Sequence, residues 1–180
     1  GWEEKAIGER LSKVIDYRGK APPKSETGMP LITARNVRMG FLDFTADEYI
    51  EEHLYKSWMN RGLPKPNDVL FTTEAPLGNV ALYPSTGTYA LGQRIITLQP
   101  NASELDSVFL FQYLLGPIGQ DAVNTRGTGS TAKGIKSKVF VKIPMAIPSL
   151  PEQQKIAAFL GAVDAKLAAL AARQAALVRF

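Results

Sequence analysis

The chain has no cysteine and only one histidine, His53. Disulfides and thiolate metal sites are therefore excluded, and the lack of cysteine fits a reducing cytoplasm, the expected location. A long apolar run is also missing. The longest uncharged stretch, Ala75 to Gln93, is broken by Pro76, Gly78, Pro84, Gly87 and Gly92, so no membrane contact is expected. Trp2 to Arg10 is polar and charged, unlike a secretory leader. The net charge of +4 permits nucleic-acid binding without arguing for it. What is present is ordinary for a globular domain with a real core: 180 residues, 45% hydrophobic and 21% charged.

Proline and glycine are unevenly placed. All but one of the twelve prolines and all but one of the fifteen glycines come before Pro151. Beyond it, Ile156, Leu160, Val163, Leu167, Leu170, Gln174 and Leu177 recur at alternating spacings of four and three. That is the 3.5-residue period of a coiled-coil seam with one polar position, Gln174. Alanines between them permit close helix approach. The spacing predicts an α+β chain: a mixed, strand-rich body over 1–149, then one long coiled-coil-type helix over 150–180, about 45 Å in length. The chain stops at Phe180 in mid-pattern without a glycine cap, which reads as a truncated helix or a fragment.

Within the body, short elements alternate. Ala6 to Val14 reads as a short helix, Leu31 to Ala34 as a strand, and Glu51 to Trp58 as a helix stopped by Gly62 and Pro64. Asp68 to Glu74 reads as a strand. Asn79 to Tyr83 and Tyr89 to Leu98 read as a hairpin around Pro84 to Gly87. Leu105 to Leu115 is helical by its apolar spacing, a second short helix reaches Asn124, and Val139 to Ile147 is an edge strand because it carries Pro144.

The residues offer little catalytic chemistry. His53 stands between glutamates and reads as a solvated helix residue. The acid-x-Lys patterns at Glu3 to Lys5 and Asp164 to Lys166 sit at a terminus and on the long helix, where carboxylates do not converge on a metal. Gly127 to Ala132 fits G-x-G-x-x-A, but a dinucleotide loop needs a strand before it and a helix after it, and neither flank fits. No catalytic residue, metal or cofactor is expected. The loop keeps a physical use: its small residues let phosphate oxygens approach backbone N–H groups, beside Arg126 and Lys133. Basic residues gather in two segments, Arg10 to Arg38 and Arg126 to Lys142, which either form one positive face or remain separate solvated loops.

At this point the chain resembles one half of a type I restriction–modification specificity subunit. The matches run in order: Trp2 with Ile7 to Leu11; Pro30 to Val37 (P-L-I-T-A-R-N-V); Gly62 to Thr72 with its G-x5-D-V-L run; Ala75 to Ala81; Leu91 to Arg94; Gly129 to Thr131 with Gly134 and Ile135; and Ile143 with Pro144. The most specific piece is Pro148 to Ala157 (P-S-L-P-E-Q-Q-K-I-A), which resembles the entry to the family's spacer helix. The resemblance implies a non-catalytic subunit whose recognition domain reads half of a split double-stranded DNA target. It implies docking of modification (methyltransferase) subunits and, through them, the restriction subunit. A second spacer helix would pack on the first, in cis or by homodimerisation.

On this reading DNA contacts are expected from Lys20, Lys24, Arg35, Asn36, Arg38, Gln93, Arg94, Arg126, Thr128, Ser130, Thr131, Lys133 and Lys136, each good bidentate base contact giving roughly 1–3 kcal/mol of discrimination. The seven seam residues would carry helix packing. Two other readings stay open. One is a recognition fragment of a DNA methyltransferase, against which stands the lack of an N-P-P-Y or N-P-P-F motif. The other is an assembly module whose body only caps its helix.

Overall fold

The computed structural model describes residues 1–17, 19 and 21–177. In chain order the strands are β1 (Glu3–Ala6), β2 (Leu11–Asp16), β3 (Lys24–Ser25), β4 (Met29–Ile32), β5 (Tyr49–Ile50), β6 (Val69–Thr73), β7 (Leu77–Leu82), β8 (Ala90–Leu91), β9 (Ile95–Pro100) and β10 (Pro144–Ile147). The α-helices are α1 (Tyr55–Trp58), α2 (Ser107–Leu115), α3 (Pro117–Arg126), α4 (Ser137–Phe140) and α5 (Leu150–Leu177). The fold is α+β, with the long helix last.

The centre is an antiparallel sheet in the order β2-β9-β6-β7. Every residue of β6 is buried, as are five of the six in β9, because both faces of this sheet are covered. Val69, Phe71, Ile96 and Leu98 face a core shared with Phe109, Leu110 and Leu114 of α2. Leu70 and Ile95 face a second core, shared with Leu31, Ile32, Ile50 and Leu91 of a smaller sheet, β3-β5-β4-β8. A two-stranded ribbon, β1 with β10, closes the structure beside α5.

Helices α2 and α3 meet at Gly119. A Cβ there would stand against the Tyr113 carbonyl oxygen and 2.9 Å from Leu114 Cα, both backbone atoms that cannot yield. Gly119→Ala is therefore expected to cost about 2–3 kcal/mol in urea unfolding, as overpacking does at a close contact.

Three expected elements are corrected. Residues 6–14 are not a helix: β1 ends at Ala6, a 3-10 turn covers Ile7–Arg10, and β2 follows. Local propensity yields there to pairing of β2 with β9 and to the bonds from Ile7 N–H and Gly8 N–H to the carbonyls of Ile143 and Val141. The expected hairpin of 79–83 with 89–98 does not form. β7 pairs instead with β6 across the Ala75–Pro76 turn, whose peptide is cis, while β8 joins the smaller sheet in parallel to β4 and β9 inserts between β2 and β6. A run as buried as β9 belongs in a sheet centre, not at a hairpin edge. Of residues 139–147, only β10 is a strand; the stretch before it is the turn of helix α4.

Helix α5 is anchored at its root and bare beyond it. Gln153 is fully buried; its Nε2 donates to the carbonyls of Glu104 (2.9 Å) and Pro148 (3.0 Å), and its Oε1 accepts from the Asp106 N–H (2.9 Å). Of the seam, Ile156 and Leu160 are half-buried against the body. Val163, Leu167, Leu170, Gln174 and Leu177 are exposed, Leu177 by 69%. No helix among the described residues is long and apolar enough to cross a membrane.

Candidate nucleic-acid interface

The smaller sheet brings charge of both signs together. Antiparallel pairing of β3 with β5 sets Lys24 opposite Ile50, and the Leu31 N–H donates to the Glu48 carbonyl. The Glu48 side chain, 11% exposed, thus sits between two cations. Its Oε1 takes both Lys24 Nζ at 2.6 Å and Arg35 Nη1 at 3.4 Å. Its Oε2 is buried without a hydrogen-bond partner, with the Thr33 hydroxyl near enough to favour the charged carboxylate. Burial pushes this carboxyl up, but the Lys24 hydrogen bond and charge, with Thr33 and Arg35, outweigh it and leave the group below the usual glutamate value.

The sign of the linkage follows. A lowered folded pKa stabilises the fold above the unfolded value, about 4.3, and that contribution is lost as pH falls through the folded value. Glu48→Gln is expected to lower stability at pH 7 by no more than about 1 kcal/mol, since its partners are solvent-exposed, a gap that closes on acidification below the ordinary glutamate range in urea titrations.

Lys24, Arg35, Gln93 and Arg94 line one cavity of about 250 Å³, with Glu48 and Thr33 in its wall. Arg94 reaches it from a left-handed backbone, φ 69°, which costs an arginine about 1–2 kcal/mol. The Thr73 N–H and hydroxyl hold that turn, donating to the Arg94 carbonyl at 2.8 and 3.2 Å. The Arg94 guanidinium lies 3.3 Å from Glu74.

Glu74 is the hinge to the second basic segment. It forms a β-bridge with Gly134, and Gly134 closes a loop by exchanging two backbone hydrogen bonds of 2.9 Å with Thr128. Gly129 sits inside that loop at φ 120°, where a Cβ would strike the Ala132 carbonyl oxygen. Thr128, Ser130, Thr131, Lys133 and Lys136 are all exposed. Lys133 and Lys136 form no ion pair among the described residues. Glu74 thus stands between Arg94 and the loop of the second basic segment. The loop follows helix α3 rather than a strand, so it lacks the dinucleotide-binding setting.

The other expected residues are placed differently. Asn36 is 1% exposed, and its amide is engaged inside the chain. Its Oδ1 accepts from the Thr33 N–H and hydroxyl, and its Nδ2 donates to the Asp43 and Ala46 carbonyls. It shapes the turn beside Arg35 and leaves nothing to offer a base. Arg38 stands outside the cavity, paired with Asp43 at 3.2 Å. Arg126 donates to the Ala122 carbonyl at the end of α3. Lys20 lies outside the described residues.

Sequence reasoning missed Glu48 and Glu74. For Glu48 the available signal is the run of acids from Asp43 to Glu52, and only the pairing of β3 with β5 brings it to Lys24; Glu74 carries no such signal. Elsewhere, His53 is 72% exposed beside Glu51, and Asp164 accepts from Gln112 at 2.9 Å. No three acidic or histidine side chains gather as metal ligands among the described residues.

An α+β body closed by a strand ribbon and carrying a long terminal helix is a fold already seen in solved structures. One chain, from a structural study of complex assembly and conformational transition of the type I R-M system, matches at a TM-score of 0.65 and 24% identity, covering 94% of this chain and 40% of that one. The HsdS subunit from Thermoanaerobacter tengcongensis matches at 0.59 and 22% identity, covering 94% and 39%. The type I restriction-modification S subunit from M. genitalium matches at 0.61 and 17%, covering 96% and 41%. The family model of the type I restriction modification DNA specificity domain matches residues 1–179, and the chain belongs to that family. A relative in Methanocaldococcus jannaschii, named for the specificity subunit of the type I restriction enzyme MjaX, is 28% identical over 171 residues. That alignment covers 91% of this chain and 36% of the relative, so the chain spans about a third of its length.

Proposed function

We propose that the chain is a non-catalytic recognition unit that reads one half of a bipartite double-stranded DNA target in the cytoplasm. Residues 1–149 are the recognition part and residues 150–180 the spacer helix. The observation that carries this reading is a cavity lined by Lys24, Arg35, Gln93 and Arg94, connected from Arg94 through Glu74 to the loop that carries Lys133, with Lys136 just after it. Exposed loop cations and N–H groups suit phosphates, while Gln93 and Arg94 at the cavity suit base edges. The bare seam from Val163 to Leu177 is the surface for a second spacer helix, in cis or from another copy, and modification subunits dock on the assembled unit, bringing the restriction subunit with them.

A selection from a random duplex library tests this, with and without the modification subunit at moderate salt. Enrichment of a short motif supports target reading, and enrichment only with the partner places that reading within the complex. If the folded, partner-bound chain enriches nothing, DNA reading is wrong and the helix-mediated assembly module becomes the better account.

A further inference from the structure

Resting on the DNA-reading proposal, the inference concerns which base chemistry the cavity takes. Glu48 is the acid among the residues lining it. It is nearly enclosed, one oxygen serves two cations, and the other serves none. Lys24 and Arg35 are themselves 55% and 70% exposed, free to swing outward. A DNA phosphate nearby competes for them, because a cation drawn to a phosphate also releases counterions from the duplex. Once they leave, Glu48 is a nearly enclosed carboxylate with only the Thr33 hydroxyl to favour its charge, a costly state unless a donor replaces them.

The donors that DNA presents in its major groove are exocyclic amino groups, N4 of cytosine and N6 of adenine; guanine and thymine present acceptors there. We propose that Glu48 is a specificity-determining residue that accepts a hydrogen bond from the amino group of a cytosine or adenine in this cavity, while Lys24 and Arg35 pass to flanking phosphates. The same exchange explains why an acid sits among cations meant for DNA. In the free chain it holds them in place; on a wrong sequence it meets a carbonyl oxygen and is left unpaired. Discrimination thus comes from a penalty as well as a contact.

The test compares library selections by the wild-type chain and Glu48→Gln, each with the modification subunit and confirmed as folded. One position of the wild-type motif is expected to be restricted to cytosine or adenine. In Glu48→Gln that position relaxes, the others persist, and affinity for non-specific duplex rises a few-fold. A second arm uses only the wild-type chain. Each cytosine of the selected site is replaced in turn by 2-pyrimidinone, and each adenine by purine, removing the amino group alone. About a tenfold loss at one position, from one base type, is expected. An unchanged motif in Glu48→Gln overturns the role of Glu48 while leaving DNA reading intact, as does insensitivity of every position to amino-group removal. A wild-type chain that selects no motif overturns both proposals.

Discussion

Gln153→Ala is expected to destabilise the chain by about 3 kcal/mol and to free the long helix from the body. The side chain is fully buried and makes three hydrogen bonds to backbone groups of Asp106, Glu104 and Pro148. Alanine removes all three partners at once, and each stranded buried group costs about 1–3 kcal/mol before relaxation and water entry recover part of it. Urea unfolding gives the stability. Orientation is a separate readout: because the natural sequence has no cysteine, spin labels placed on exposed Ala102 and Ala172 would be unique. Their distance distribution should broaden in Gln153→Ala and stay narrow in Gln154→Ala, whose exposed side chain predicts a change within about 0.5 kcal/mol. A narrow distribution in both variants would show that apolar contacts at Ile156 and Ala157 alone hold the helix.

Lys133→Ala with Lys136→Ala is expected to weaken duplex binding by tenfold or more at low salt and to flatten the dependence of log affinity on log salt by about two units, at roughly 0.9 per lost phosphate contact. These lysines are exposed and without an ion-pair partner among the described residues, so their charge is available. Arg94→Ala should change the salt slope less, because Arg94 already answers Glu74. Titrations at several salt concentrations separate the cases. Equal slopes for the double variant and the wild type would remove the loop from the interface.

Much of the architecture was legible because local patterns carry it. The helix of Ser107–Leu115 shows in its apolar spacing, β6 in the uninterrupted Val69 to Phe71 run after a turn, and α5 in its seam. Partner choice was not legible. Nothing within residues 79–98 tells that β9 lies between β2 and β6, since both strands are remote in sequence. The strand β2 was hidden for the same reason: its partner strand, Ile95–Pro100, lies far along the chain, with Val14 opposite Leu98. At the site, sequence reading found cations and overlooked the acids that hold them. Lys24 and Arg35 announce themselves by charge. Their shared oxygen on Glu48 exists only because β5 folds back beside β3 and β4. Asn36 shows a different limit: a residue type suited to adenine is equally suited to locking a turn, and only its burial reveals the second use.

The buried glutamine at the root of α5, Gln153, also sets what happens at the far end of the helix. Twenty-eight residues form a lever about 42 Å long. A tilt of about ten degrees at the pivot moves Leu177 by about 7 Å, close to two base steps along a DNA strand. If the helix acts as the proposed spacer, the accuracy with which it separates two half-sites is governed by the stiffness of its first turn, where Gln153 joins three backbone groups, more than by the number of residues it contains.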